Sequence, residues 1–446
     1  MKRKLQLSSA AILASMLFVT ACTSSTGTSS ESADASSTTA AQAGGAASSG
    51  KAVKLSFWTF NELHQKFFES MAVSWNKAHP EQPITLEATT FPYDDNHNKL
   101  LVALQSGTGA PDMADIEISK IGNFLKGDVQ LAELNDIVEP EKSNLVMSRL
   151  DNYAKDGKYY GIDYHVGAQV IYYNKEILDK AGVNADDIKT WDDYEKAGKQ
   201  VLEKTGKPMT TVETQDQWSY WPLVVQHGSD FLDKSGNVTL GDPVNTEVLT
   251  YLQKLVKEKV AIVAPGGFHH AEEYYGFMNK GGAASVWMPM WYMGRFTDYM
   301  PDLKGKIIIK QMPVFKQGDM HSSGMGGTGT VITKQSKNQD VAKKFLAYAK
   351  LSKEGTIQIW SQLGFDPIRS DVWADPALKA DNKFTDYFGK NLWDVLISVK
   401  NEIAPTNIKE KTPAVSDYLK TKAMFQALND LKDPKQVLDD AVKNIK

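Results

Sequence analysis

Val53-Lys54-Leu55-Ser56-Phe57-Trp58-Thr59 alternates apolar and polar side chains, as a β-strand with one buried face does. An apolar stripe spaced by four residues follows it and predicts a helix that ends before Pro80, formed by Leu63, Phe67, Met71 and Trp75. The same order then repeats, with strands predicted at 84–90 and 112–118 around a second helix that Asp94 or Asp95 would cap. Strands that alternate with helices predict an α/β fold whose first strands are parallel.

The composition is that of a globular protein with a large core. Hydrophobic residues make up 42% of the 446 and charged residues 23%, and the length suggests two or three domains. Fifty basic residues against 54 acidic ones give a net charge of −4. Because a mildly acidic protein has no bulk attraction for phosphate backbones, nucleic acid is not an expected partner.

The N-terminus is typical of an export signal. Three basic residues precede an apolar run that reaches Ala21, so we predict a signal peptide at 1–21. Val19-Thr20-Ala21-Cys22 resembles the bacterial lipobox and contains the only cysteine of the chain, which makes Cys22 the predicted lipid anchor. In residues 23–50, 25 of 28 are Ser, Thr, Ala or Gly, so 22–50 is predicted to be a flexible tether.

The chain lacks the common nucleotide and hydrolase motifs. It has no GxxxxGK[ST] phosphate loop and no GxSxG nucleophile elbow. Residues 324–329 match the GxGxxG spacing, but a β-branched stretch follows at 330–333 where dinucleotide binding requires a helix. We therefore expect no nucleotide cofactor.

No metal site is predicted either. A single cysteine excludes an intramolecular disulfide and a thiolate zinc cage. His269 and His270 with Glu272 and Glu273 are expected on the solvated face of a helix that starts after Gly267, and their spacing fits no zinc pattern. Residues 233–237 are expected to form a turn, since they lack the glycine and the final acid of a calcium loop.

The aromatic residues indicate a ligand with flat apolar faces and polar edges, as a sugar has. Ligands of α/β folds bind at the carboxyl ends of strands. The residues that follow the first strand, and the acid that ends the third, are therefore candidate ligand-binding residues: Trp58, Asn61, Glu62, His64 and Glu117.

Several motifs together resemble the carbohydrate class of extracellular solute-binding proteins of ABC importers, which includes maltodextrin- and arabino-oligosaccharide-binding proteins. The motifs are Phe57-Trp58, Gly109-Ala110-Pro111-Asp112, Asp156-Gly157-Lys158-Tyr159-Tyr160-Gly161, Tyr172-Tyr173-Asn174-Lys175, Lys189-Thr190-Trp191-Asp192-Asp193 and Gly364-Phe365-Asp366-Pro367. The resemblance implies a two-lobed type II periplasmic-binding-protein fold with crossing hinge segments. One lobe is expected at 51–164 plus 315–368, and the other at 168–312 plus 369–446.

The resemblance also implies ligand-binding residues. Asp216 and Trp218 match a segment that gives the sugar an acid and an aromatic ring, while Trp291 or Trp287 matches the main stacking ring. Gly326 and Gly327 resemble a glycine pair that lets the backbone approach the ligand, and Tyr164 and His165 lie on a crossing segment. Gly167 departs from an acid found in some maltodextrin binders, which argues against maltodextrin. Five other tryptophans are expected to be packed in the core, namely Trp75, Trp191, Trp360, Trp373 and Trp393.

The predicted function is a monomeric receptor, not an enzyme, which captures an oligosaccharide between its lobes and delivers it to an ABC permease. Its expected location is the extracellular face of the bacterial cytoplasmic membrane, held there by lipid. A surface glycoside hydrolase that uses Glu117 and Asp216 is the alternative, because paired carboxylates and aromatic platforms also describe those enzymes. A receptor for a non-sugar solute stays open too, since a fold does not fix its ligand.

Overall fold

The computed structural model describes residues 51–445. The predicted signal peptide at 1–21, the predicted anchor Cys22 and the predicted tether at 22–50 lie outside the described residues. Within residues 51–445, no helix combines the length and the hydrophobicity needed to cross a membrane.

A five-stranded sheet forms the first lobe, which we call the N-lobe. Its strands, in spatial order, are Ile84–Thr90, Val53–Thr59, Met113–Glu117, Thr328–Ile332 and Gly161–Asp163. The first three are parallel, and the fourth runs antiparallel to both of its neighbours. The predicted parallel α/β unit is therefore confirmed. The late strand 328–332 pairs with Met113–Glu117, the edge strand of that parallel unit. A helix does not follow the glycines of 324–329, which removes the context that a dinucleotide needs.

The N-lobe helices cover the sheet as the apolar stripes predict. Helix Glu62–Ala78 begins at Asn61, whose side chain accepts a hydrogen bond from the Leu63 amide at 2.9 Å. The second helix, Tyr93–Ser106, begins two or three residues earlier than a cap at Asp94 or Asp95 predicts, so both acids lie in its first turn and cap nothing. They still oppose the positive end of the helix dipole.

A second sheet of three antiparallel strands forms the centre of the C-lobe. Gln169–Asn174 is the central strand, between Ser285–Pro289 and Ile307–Lys310. Helix Trp191–Thr205 covers it and starts at the predicted cap, where the Thr190 hydroxyl and the Asp193 carboxylate bond each other's backbone amides. This reciprocal pair satisfies donors that a helix end leaves free.

The remaining elements are mostly short. Other strands are Ala154–Lys155, Lys158–Tyr159, Thr210–Val212, Ala261–Val263, Ser322–Ser323 and Ile403–Ala404. Other α-helices of six residues or more are Lys175–Ala181, Trp221–Gln226, Pro243–Lys257, Glu272–Asn279, Met293–Tyr299, Gln339–Lys350, Lys353–Gln358, Lys383–Phe388, Leu392–Val399, Thr412–Tyr418 and Pro434–Asn444. The turn at 233–237 is confirmed, because the Asp233 carboxylate accepts the amides of Ser235 and Asn237.

Three stretches of chain pass between the two sheets, at 164–168, 324–327 and 366–369. A buried carboxylate joins two of them, since Asp366 accepts the amides of Gly167 and Ala168 at 3.1 and 2.7 Å. Burial raises the pKa of Asp366 to about 6. A buried ion pair ties the third stretch to the N-lobe sheet. Arg149 Nη2 lies 2.9 Å from Asp163 Oδ2 at the end of strand Gly161–Asp163, and the same guanidinium donates to the carbonyls of Gly324 and Gly326.

Core packing accounts for the tryptophans that the sequence assigns to it. The side chains of all five are buried: Trp75, Trp191, Trp360, Trp373 and Trp393. Trp360 and Trp393 also pack edge to face, with ring centroids 4.7 Å apart. That expectation is confirmed. Among the other tryptophans, only Trp58 and Trp291 keep part of their side chains exposed.

Candidate functional site

Two indoles of the C-lobe meet the glycine pair of a crossing stretch. Trp218 packs edge-on against Trp291, with centroids 5.5 Å apart and planes at 78°. The Trp291 indole N–H donates to the carbonyl of Met325 at 3.2 Å. A Cβ on Gly326 would come within 2.8 Å of Trp291 Nε1, and φ at Gly326 is +68°. Gly326 is therefore required by the position of the indole as well as by the backbone turn.

His270 supports Trp291 from one side, with nearly parallel rings 5.6 Å apart. The solvated helical face expected for the two histidines is wrong, because the helix starts only at Glu272. His269 is buried, donates its amide to Glu213 and places its Nε2 2.9 Å from the Thr211 hydroxyl, while His270 is half-buried. Burial lowers the pKa of His270 well below its usual value, so the ring that supports Trp291 is neutral.

Trp287 requires a correction. It is 1% exposed and packs edge-on against Trp191 and Tyr194, with its N–H donating to the carbonyl of Ser219 at 3.2 Å. The strand Ser285–Pro289 is buried on both faces, so this indole has no face free for a sugar ring. Of the two alternatives for the main stacking ring, the geometry favours Trp291.

On the N-lobe side, Glu117 ends its strand in a small hydrogen-bonded group. Its carboxylate accepts from the Tyr93 hydroxyl at 2.9 Å and from both the amide and the hydroxyl of Ser119. The pKa of the Tyr93 hydroxyl is raised by burial first and then by the charge of Glu117. Tyr93 follows the strand 84–90 directly, so the rule that selected Trp58 also applies to it, yet the sequence analysis missed it.

On the C-lobe side, Asp216 pairs with a lysine that the sequence analysis also missed. Lys420 Nζ lies 3.3 Å from Asp216 Oδ1, and the two side chains are 28% and 14% exposed. Below them, Glu213 is fully buried with one carboxylate oxygen lacking any partner. Burial, and after it the charge of Asp216, raises the pKa of Glu213 well above its usual value. No motif marks Lys420, since only the fold brings the C-terminal helices to this position.

Three predicted ligand-binding residues are enclosed inside the N-lobe or its hinge, which corrects their assignment. His64 Nδ1 lies 2.9 Å from Asp115 Oδ2, and Tyr164 stacks on the His64 ring at 4.2 Å and places its hydroxyl on the same carboxylate. His165 packs on Phe365 with centroids 4.9 Å apart. All three side chains are less than 5% exposed. His64 and Tyr164 bond the buried Asp115, and His165 packs against Phe365, so none of them faces solvent.

Four other predicted ligand-binding residues lie in different environments. Trp58 is partly exposed and packs edge-on against Phe91, Asn61 caps a helix, and Glu62 is exposed in the first helical turn. A Cβ on Gly327 would come within 2.5 Å of Arg149 and 2.6 Å of Asp163, so the hinge ion pair fills the space beside it. Contact of these four with a ligand stays a prediction.

Comparison with known proteins identifies the family of the chain. Residues 59–355 match the family described as bacterial extracellular solute-binding protein. The chain belongs to that family. The chain is 50% identical over 405 residues to the arabinooligosaccharide-binding protein of Bacillus subtilis (strain 168), covering 90% of this chain and 94% of that one. It is also 50% identical over 396 residues to the arabinooligosaccharide-binding protein of Halalkalibacterium halodurans, covering 88% and 89%.

Among solved structures, the GacH receptor of Streptomyces glaucescens GLA.O superposes with a TM-score of 0.72 at 21% identity, covering 88% of this chain and 97% of that one. At that identity the likeness concerns the fold alone. The expected two-lobed type II fold of an extracellular solute-binding protein is confirmed.

Chemically, the region between the lobes combines an apolar platform with carboxylate and ammonium side chains. The indole of Trp291 is held by a hydrogen bond, a neutral histidine and a second indole, so little rotamer freedom remains to be lost on binding. Glu117 of the N-lobe and Asp216 of the C-lobe add carboxylates that can accept hydroxyl groups. This combination suits an uncharged ligand with flat C–H faces and hydroxyl edges.

Proposed function

We propose that this protein is the ligand-binding receptor of an ABC sugar importer and that its ligand is an arabino-oligosaccharide. The observation that carries the proposal is the 50% identity, over about nine-tenths of the chain, to two arabinooligosaccharide-binding proteins. The aromatic platform supports it, because an indole face and hydrogen-bonding carboxylates bind a sugar without covalent chemistry.

In this proposal, the sugar stacks on Trp291 and donates hydroxyl hydrogen bonds to Asp216. Trp218, which is 8% exposed, supports Trp291 edge-on and offers no free face of its own. Glu117 then receives hydroxyls of the same ligand from the N-lobe, which links the two lobes through the sugar. A ligand that contacts both lobes favours the closed arrangement by the difference between its affinities for the two states. The crossing stretches joined by Asp366 and Arg149 are the proposed hinge, and the closed form is what the permease would recognise.

The receptor is proposed to act as a monomer, anchored to the outer face of the cytoplasmic membrane through a lipid on Cys22. Two acyl chains suffice physically, since one buried chain holds a protein only marginally. Replacing Cys22 with Ser should move the protein from the membrane fraction to the medium of the producing cells. Retention of the variant in the membrane fraction would refute the anchor but not the sugar receptor.

The test of the ligand is a thermal-shift screen of the full chain against arabino-oligosaccharides, arabinose, maltotriose and small peptides. A ligand that binds only the native protein stabilises it by about 2.7 kcal/mol at a hundredfold excess over Kd. We expect stabilisation by arabino-oligosaccharides and recovery of the sugar at its original length. Stabilisation by none of the sugars would refute the proposal, and shortened products would favour the hydrolase.

A further inference from the structure

Lys420 is a charged residue that reaches the region between the lobes from outside the family match. It belongs to the helical segment Leu419–Ala423, whereas the match ends at residue 355. Its ammonium lies 3.3 Å from Asp216 of the C-lobe, and the pair is largely covered, with side chains 28% and 14% exposed. Partial burial strengthens the attraction between two such charges relative to a pair in free solvent.

The ammonium of Lys420 also interacts electrostatically with a carboxylate of the N-lobe. Burial alone would lower the pKa of Lys420, but the carboxylates of Asp216 and Glu117, with Glu213 behind them, outweigh burial and raise it. An acid of the C-lobe also acts on the N-lobe. The charge of Asp216 contributes to the raised pKa of Tyr93, although burial and the charge of Glu117 contribute more. One positive charge therefore lies in the field of acids from both lobes.

The backbone that precedes this segment also contacts both lobes. Asn407 is fixed to the C-lobe, since its amide donates to Asp230 Oδ2 at 2.6 Å and its side chain donates to the Leu232 carbonyl at 2.9 Å. Two residues later, the carbonyl of Lys409 lies so close to the N-lobe that a Cβ on Gly122 would come within 2.7 Å of it. The C-terminal segment that leads to Lys420 therefore contacts both lobes.

We propose that Lys420 is an electrostatic latch for lobe closure: it stays paired with Asp216 and gains the attraction of Glu117 when the lobes approach. The inference rests on the proposed receptor function and adds a residue that sets how tightly the closed form holds its ligand. In this role Lys420 is a positioning residue, because it acts through the two carboxylates and the lobes that carry them. Separating the lobes removes Glu117 from the ammonium and leaves only the pair within the C-lobe.

The test compares the full chain with Lys420→Met, Lys420→Arg and the control Lys422→Met. Lys422 lies two residues along the same segment, and its ammonium sits over the Tyr418 ring at 5.0 Å, so the control removes the same charge from the same helical segment. Arabino-oligosaccharide affinity is measured from about 0.01 M to about 1 M salt, over which the Debye length falls from about 30 Å to about 3 Å.

We expect Lys420→Met to weaken binding roughly three- to tenfold at low salt and to flatten the salt dependence of the parent. Lys420→Arg keeps the charge and should keep both properties, as should Lys422→Met. A purely structural role would not change the salt dependence. Parent-like affinity in Lys420→Met, or a salt dependence equal to that of the parent, would overturn the latch.

A second measurement separates the latch from the ligand proposal. If the parent binds no sugar, the receptor proposal fails, and small-angle scattering of the sugar-free protein then decides on the latch alone. A radius of gyration that grows with salt in the parent but not in Lys420→Met supports it. An equal response of the two proteins contradicts it.

Discussion

Removing the indole of Trp291 should weaken sugar binding about seventyfold while leaving the protein folded. A sugar ring stacked on the face opposite His270 would cover about 100 Å², half of the roughly 200 Å² that a tryptophan can bury. At about 25 cal/mol per Å² that contact is worth about 2.5 kcal/mol, or about seventyfold in Kd.

The cost to stability follows from the contacts that hold the ring. Trp291→Ala loses three aromatic contacts, with His270, Trp218 and its neighbour Tyr292, and the hydrogen bond to the Met325 carbonyl. At about 0.5–1.5 kcal/mol for each aromatic pair and about 1 kcal/mol for the hydrogen bond, the free energy of unfolding falls by about 2.5–5.5 kcal/mol. Domains typically have about 5–15 kcal/mol, so the variant should stay folded at room temperature.

Titration calorimetry with an arabino-oligosaccharide, beside a melting curve of each protein, separates the two effects. The melting curve establishes that the variant is folded at the temperature of the titration. A folded Trp291→Ala that binds with the affinity of the parent would refute the platform and, with it, the assignment of the stacking ring.

Three further predictions concern the neighbours of this site. Gly326→Ala should cost about 1–2 kcal/mol of stability from its positive φ and also weaken sugar binding, because the added Cβ displaces Trp291; parent-like affinity in a titration would contradict this. Trp287→Phe should lower the melting temperature through a core cavity, worth about 1–3 kcal/mol, yet leave sugar affinity unchanged, and a large loss of affinity would restore Trp287 as a platform. Burial lowers the pKa of His165 to about 3, so only the unfolded chain takes up its proton near pH 6.5. The stability that the neutral His165 contributes is thus complete above that pH and is lost as pH falls. Relative to His165→Leu, the free energy of unfolding should drop by about 2 kcal/mol from about pH 7 to about pH 5. Parallel denaturant curves at the two pH values check it, and an unchanged difference would be contrary to the prediction.

The fold was predictable wherever local patterns decide it. The alternation at 53–59 and the four-residue stripe after it are confirmed, as are the Thr190 cap and the turn at 233–237. These features depend on neighbours within a few residues, which the sequence displays directly. Even there, the predicted start of helix Tyr93–Ser106 is wrong, because Pro92 occupies the cap position and no side chain caps the helix.

The candidate site was predictable only in part, because burial depends on what packs from elsewhere in the chain. Trp287 and Trp291 are four residues apart with similar neighbours, yet Trp287 belongs to a strand covered on both faces and Trp291 follows where that strand ends. His64 satisfied the rule for strand ends as well as Glu117 did, but a buried aspartate 51 residues away holds its ring inside the lobe. Lys420 could not be found from local patterns, since its partner Asp216 is distant in sequence.

The central claim is that an oligosaccharide, and not its single sugar, binds between the lobes and leaves unchanged. Titration calorimetry of the full chain with arabino-oligosaccharides of defined length, with arabinose as comparator, followed by chromatography of the recovered sugar, tests it most directly. We expect saturable binding of the oligosaccharides at one site, much weaker binding of arabinose, and full recovery of the ligand at its original length. Failure of every oligosaccharide to bind, or recovery of shorter products, would contradict the account.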